Sequence, residues 1–218
     1  MILKSLRLLL PTALLLGAAA APAQDTVTNA PATNALAIRK GKATTPMLPL
    51  SGRTGAAVAD KPKLLADGAA AADFISNDAA GKAVHLTDFH DKVVVLDFWA
   101  TWCGPCQKSL PHTQSVAHEY KAQGVVVLAV CTSDTRANFD GWVKDNQAKY
   151  PDIIFTSDPN ERGSATFSDR VSSKLFGVAG IPTQFVIGSD AKVRGSLVGY
   201  SDGDTRLETV LKGAVDAK

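Results

Sequence analysis

The sequence predicts an α/β sandwich, and three observations carry that expectation. Val93-Val94-Val95-Leu96-Asp97-Phe98-Trp99 is a near-continuous apolar run, which suits a strand buried on both faces. Val125 to Val130 is a second such run, and a helix is expected between the two. All fourteen Trp, Tyr and Phe residues lie after residue 67, so that part of the chain holds the material of a full core.

Each element follows from local signals. Upstream of the first long run, Phe74-Ile75 and Ala83-Val84-His85-Leu86 read as short strands around Gly81. The helix after Trp99 starts near Cys103 and runs to about Ala122, bent by Pro111 and ended by Gly124. The strand, helix, strand order makes a βαβ unit, so its strands should be parallel with a right-handed crossover. Ala137 to Ala148 places Phe139, Trp142 and Val143 on one side of a helix. Ile153 to Phe155 is a short strand, followed by a turn at Ser157-Asp158-Pro159-Asn160. Val171 to Phe176 is a short helix stopped by Gly177. Gln184–Ile187 and Val193–Val198 form a hairpin through Gly188-Ser189-Asp190-Ala191, and a last helix runs from about Asp204 to Val215.

The chain ahead of this domain divides in two. Residues 1–23 have the form of an export signal: Lys4 and Arg7, an apolar stretch from Leu8 to Ala20, then Ala21-Pro22-Ala23 as a small-residue cleavage site. An uncleaved anchor is the alternative, but the apolar stretch falls short of the ~20 residues of a spanning helix. Residues 24–66 contain no aromatic residue and four prolines, and read as a flexible Ala/Thr/Pro-rich basic linker. The linker carries a net charge of +4 and residues 67–218 carry −4. The domain is therefore assigned to 67–218, and the protein to the periplasm or another exported location, soluble after cleavage. A formal charge of +2 over the whole chain gives no footing for a nucleic-acid partner, and three cysteines cannot staple a fold of this size.

The most specific chemical signal is Cys103-Gly104-Pro105-Cys106, two cysteines at the junction of a buried strand and a helix. Free N–H groups and the dipole at a helix start favour a thiolate, so Cys103 is the expected nucleophile and Cys106 the thiol that closes or opens a disulfide. A structural zinc site would need a second ligand pair, and neither Cys131 nor His85, His90, His112 and His118 supply one with suitable spacing. Asp97, a carboxylate inside an apolar strand, should have a raised pKa. Cys131 ends the second strand, on the same sheet edge as the pair, and reads as a buried free thiol, with a third thiol that resolves or regulates the pair as the alternative. Trp102 offers an apolar contact to a substrate, Trp99 belongs in the core, and Gly199 closes the last strand.

Phe98-Trp99-Ala100-Thr101-Trp102-Cys103-Gly104-Pro105-Cys106 resembles the active-site segment of the thioredoxin superfamily. Ala72-Asp73-Phe74, Gly81-Lys82 and Leu86-Thr87-Asp88-Phe89 resemble the lead-in of its exported TlpA/ResA-like thiol–disulfide oxidoreductase (redoxin) branch. Pro111 matches the kink proline of the active-site helix, and Gly180-Ile181-Pro182-Thr183 the loop whose proline is cis. The resemblance covers about 68–216. It implies a thioredoxin-like three-layer sandwich, a central mixed sheet flanked by helices with extra N-terminal strands. It also implies that Asp97 relays the proton of Cys106. The backbone of Ile181, beside Pro182 and opposite the cysteines, would pair with an extended substrate segment. Trp102, Gly104 and Pro105 complete the expected substrate-contacting set.

Such a protein needs no cofactor. Its expected partners are protein thiols and disulfides and an electron-donor thiol protein, membrane-embedded or not, with the chain itself a monomer. Gly-Pro between the cysteines resembles the reducing thioredoxin, so a reductant is expected. Two other functions compete. Related redoxins that reduce peroxides have Thr or Ser three residues before the nucleophile and Pro seven before it, where this chain has Ala100 and Leu96. Copper chaperones of related fold hold Cu(I) with a wider cysteine spacing and a partner His, neither of which is present in convincing form.

Overall fold

The computed structural model describes residues 63–217. The export signal and nearly all of the linker lie outside the described residues. Seven strands form one mixed sheet: β1 (Ile75–Asn77), β2 (Ala83–His85), β3 (Val93–Trp99), β4 (Val125–Cys131), β5 (Ile153–Ser157), β6 (Thr183–Ile187) and β7 (Val193–Val198). Their spatial order is β2-β1-β5-β4-β3-β6-β7. β5, β4 and β3 are parallel, and every other pairing is antiparallel.

Three helices share one face: α1 (Gly104–Tyr120), α2 (Arg136–Asn146) and α4 (Arg206–Asp216). Their buried side chains pack with Val93, Val95, Trp99, Val127, Ala129 and Phe155. Two successive crossovers of one hand in one direction put α1 and α2 on the same side, as the βαβ expectation requires. The other face carries Val94, Leu96, Phe98, Leu128, Phe185 and Phe176 under the one-turn helix α3 (Val171–Lys174) and the N-terminal lead-in. Alternation along β3 sends residues 93, 95, 97 and 99 to the first face and 94, 96 and 98 to the second. All seven are buried.

Several boundaries differ from expectation. Lys63–Ala66, counted with the linker on composition, belongs with the domain. Leu64 and Leu65 are half-buried against the second face, and Leu65 N–H donates to the Phe176 carbonyl at 3.0 Å. Gly177 receives this segment: its φ is +64°, and a Cβ there would stand 2.0 Å from the Lys63 carbonyl oxygen. Leu86 opens a 3-10 turn, Leu86–Phe89, instead of ending β2, because Asp88 accepts the His85 N–H at 2.9 Å. The helix expected over 171–176 closes after a single turn. At the end of α1, Lys121–Gln123 tightens to 3-10 and Gly124 (φ +79°) turns the chain into β4.

Candidate active site

β3 runs out at Trp99, and the chain turns back so that Cys103 N–H donates to the Ala100 carbonyl at 3.1 Å. Cys103 then stands at the N-cap of α1 in extended backbone. Cys103 and Cys106 are joined in a disulfide with their Cα atoms 5.3 Å apart. The Cys106 N–H donates to Cys103 Sγ at 3.2 Å, so sulfur takes the place that a Ser or Asp side chain fills at an ordinary helix start. That N–H and the positive end of the helix both favour a thiolate on Cys103 once the bridge is reduced. Gly104 and Pro105 are exposed, and in the first turn the missing N–H of Pro105 costs nothing. Both cysteines are buried, so access depends on the surrounding loops.

Asp97 points from β3 into the layer that also holds Cys106, Leu110 and Trp99. It is 1% exposed, and burial, opposed by one hydrogen bond, raises its pKa from 3.8 to about 6. The opposing bond comes from Gln184, which faces Asp97 in the β3/β6 register. Gln184 Nε2 donates to Asp97 Oδ2 at 3.0 Å and to Thr113 Oγ1 of α1 at 3.1 Å. Asp97 Oδ1 is buried with no hydrogen-bond partner. The carboxyl is therefore held on one oxygen and unpaired on the other, poised for a proton at near-neutral pH.

The same register pairs Phe98 with Thr183 and so sets Gly180–Pro182 at the edge where β3 ends. Ile181-Pro182 is cis. Ile181 makes no backbone hydrogen bond among the described residues, while Gly199 N–H donates to the Pro182 carbonyl at 2.9 Å. Trp102 is 52% exposed and is anchored by Nε1, which donates to the Ser133 carbonyl at 3.0 Å. Trp99 is fully buried against Trp142 and Phe155.

Two site residues escaped the sequence reading. Gln184 is one. Asp134 is the other: its Oδ2 accepts Thr101 N–H at 2.8 Å and the Thr101 hydroxyl at 2.6 Å. Its Oδ1 accepts Thr135 N–H and the Asn138 amide, both at 2.9 Å. Burial alone would raise its pKa; the Thr101 and Asn138 side-chain bonds and the two backbone bonds outweigh that and hold it below the ordinary value. Cys131 lies at the expected sheet edge, paired in register with Trp99, with Sγ 3.8 Å from Asp134 Oδ2. Burial and then the Asp134 charge push its thiol far up, which keeps it protonated.

Sulfur chemistry at a sheet edge of this kind is the mark of the thioredoxin-fold redox proteins. The chain belongs to the AhpC/TSA family, whose sequence profile matches residues 68–196. Curated relatives include the thiol-disulfide oxidoreductase ResA of Bacillus thuringiensis subsp. konkukian, 33% identical over 145 residues, 66% of this chain and 76% of that protein. ResA of Bacillus anthracis is 32% identical over 171 residues, 76% of this chain and 91% of its own. Among solved structures, thiol:disulfide interchange protein DsbE of Chlorobium tepidum shares 33% identity with a TM-score of 0.56, covering 69% of this chain and 99% of that one. The exposed lipoprotein thioredoxin Etrx1 of Streptococcus pneumoniae shares 30% identity with a TM-score of 0.52, over 65% of this chain and 99% of its own. The activity class is thiol–disulfide oxidoreduction.

Proposed function

We propose that the protein reduces disulfides of protein substrates outside the cytoplasm. The observation that carries this reading is the Cys103–Cys106 bridge at the start of α1, with Cys106 N–H on Cys103 Sγ. In the reduced enzyme the Cys103 thiolate attacks one substrate sulfur, a Cys103–substrate disulfide forms, and the other substrate sulfur leaves as a thiolate that takes up a proton. The Cys106 thiol then gives its proton to Asp97 and attacks Cys103 Sγ. The enzyme disulfide forms and the second substrate sulfur departs, so two electrons pass from enzyme to substrate. An electron-donor thiol protein, membrane-embedded or not, restores the dithiol.

Asp97 suits the relay because its pKa, about 6, lies close to working pH. Ile181, beside Pro182, has its backbone free to pair with an extended substrate chain. Trp102, Gly104 and Pro105 are exposed around the bridge and would line that chain's path. An exported location is supported by the form of residues 1–23 and by the likeness to an exposed lipoprotein thioredoxin. A single copy supplies every residue invoked, so the monomer suffices. Insulin disulfide reduction at neutral pH tests the reading: Cys103→Ser should abolish turnover, and turnover unaffected by that change would end it.

A further inference from the structure

Gln184 is buried near the start of β6 and faces Asp97 across the antiparallel β3/β6 register. Its amide nitrogen carries two hydrogens, and both are spent: one on Asp97 Oδ2 at 3.0 Å, the other on Thr113 Oγ1 at 3.1 Å. Turned end for end, the amide would set its carbonyl oxygen against the carboxylate, so these acceptors fix its sense. Thr113 is fully buried and follows Cys106 by two turns of α1, on the same face of the helix. One side chain therefore ties the strand that carries the acid to the helix that carries the second sulfur.

The other carboxyl oxygen, Asp97 Oδ1, is buried and unpaired. A buried polar atom without a partner is costly and calls for a role. An oxygen that accepts no hydrogen bond keeps its lone pairs for a proton. No charge competes for the carboxyl among the described residues: its register neighbours are Ala129 of β4 and Gln184, and only burial and the Gln184 bond act on its pKa. On α1, the titratable group buried in the same layer is Cys106. Gln184 also borders a small cavity with His112, Tyr200 and Asp204; His112 bonds Glu208 of α4 at 2.6 Å, and Asp204 pairs with Arg206.

Taking the exchange and the Asp97 relay above as given, we propose that Gln184 is the positioning residue of that relay: it holds Asp97 by Oδ2 and so makes Oδ1 the oxygen that takes the Cys106 proton. As that proton moves to Oδ1, the Cys106 sulfur bonds to Cys103 Sγ, the Cys103–substrate bond breaks, and the substrate sulfur leaves with the electron pair.

Dithiobis(nitrobenzoate), mixed with the reduced full-length protein in a stopped flow, separates the steps. Cys103 attacks the reagent and releases one nitrothiolate at a rate set by reagent concentration. Cys106 then attacks Cys103 Sγ and releases the second at a rate independent of it, as the dithiol becomes the disulfide. The second rate should fall on acidification as Asp97 takes up a proton, with an inflection near the carboxyl's pKa of about 6. Gln184→Met, of similar length but without a donor, removes the bond that favours the carboxylate and should move that inflection up by about one pH unit. Made in Asp97→Asn, the same substitution should change the second rate by less than about twofold. Gln184→Thr, too short to reach both acceptors, should repeat both results and stands in if the Met variant does not fold. An inflection that stays put, or equal slowing with and without Asp97, overturns the role of Gln184. An Asp97→Asn protein with the wild-type pH profile ends the relay and this proposal with it, and release of no nitrothiolate at all ends the exchange reading.

Discussion

At the scale of single residues, Asp97 is the group whose surroundings most oppose its ordinary charge. Its pKa rises from 3.8 to about 6 on folding because burial outweighs the one bond from Gln184. An acid with a raised folded pKa stabilises the fold fully below its unfolded value, and that contribution is lost as pH climbs through the folded one. The window here runs from about pH 4 to about pH 6, and two pKa units amount to ~3 kcal/mol. Asp97→Asn, which keeps an acceptor for Gln184, should therefore raise the Tm of the oxidised protein more at pH 7.5 than at pH 4.5. A gain independent of pH in thermal scans would contradict the assignment. The oddity of Asp97 was legible in the sequence because charge interrupts an apolar strand. Gln184 was not legible: its role depends on an antiparallel register joining positions 87 apart, which a single strand pattern does not encode.

Among the elements, the loop between β4 and α2 braces the loop that carries the cysteines. Asp134 holds both the N–H and the hydroxyl of Thr101, while Ser133 holds the Trp102 ring nitrogen. Removing the carboxylate leaves two backbone N–H groups, of Thr101 and Thr135, without an acceptor. Asp134→Ala should cost about 2 kcal/mol in urea unfolding, and Asp134→Asn less, because one oxygen can still serve Thr101. Equal stability for Ala and wild type would show that the brace contributes nothing. The β3-α1-β4 unit was readable from its apolar runs and the Gly124 stop. The brace was hidden because an Asp ahead of a helix looks like any cap, and nothing local says which loop it grips.

For the whole molecule, the second face of the sheet depends on chain that composition assigned elsewhere. The lead-in Lys63–Ala66 lies against a face that α3, Phe74, Leu86, Phe176 and Val178 also cover. A chain beginning at Lys63 should be more stable than one beginning at Asp67 by about 2 kcal/mol, the contribution of two leucines that cover this face. Indistinguishable urea midpoints for the two would remove the lead-in from the domain. Two leucines among Lys, Pro and Ala have no period to betray them, so the boundary fell four residues late. The central parallel strands were foreseeable from the crossover rule. The placement of β1 and β2 beyond β5 rests on strands of three residues each, too short to advertise a neighbour.

The sulfur that caps α1 is also the atom proposed to attack. A negatively charged acceptor grips an amide more firmly than a neutral one does. Electron uptake would thus fasten the opening turn of the helix, and handing that sulfur to a client would slacken it. The catalytic cycle would be felt by the backbone as alternate tightening and release at Cys106, a mechanical pulse built from one hydrogen bond.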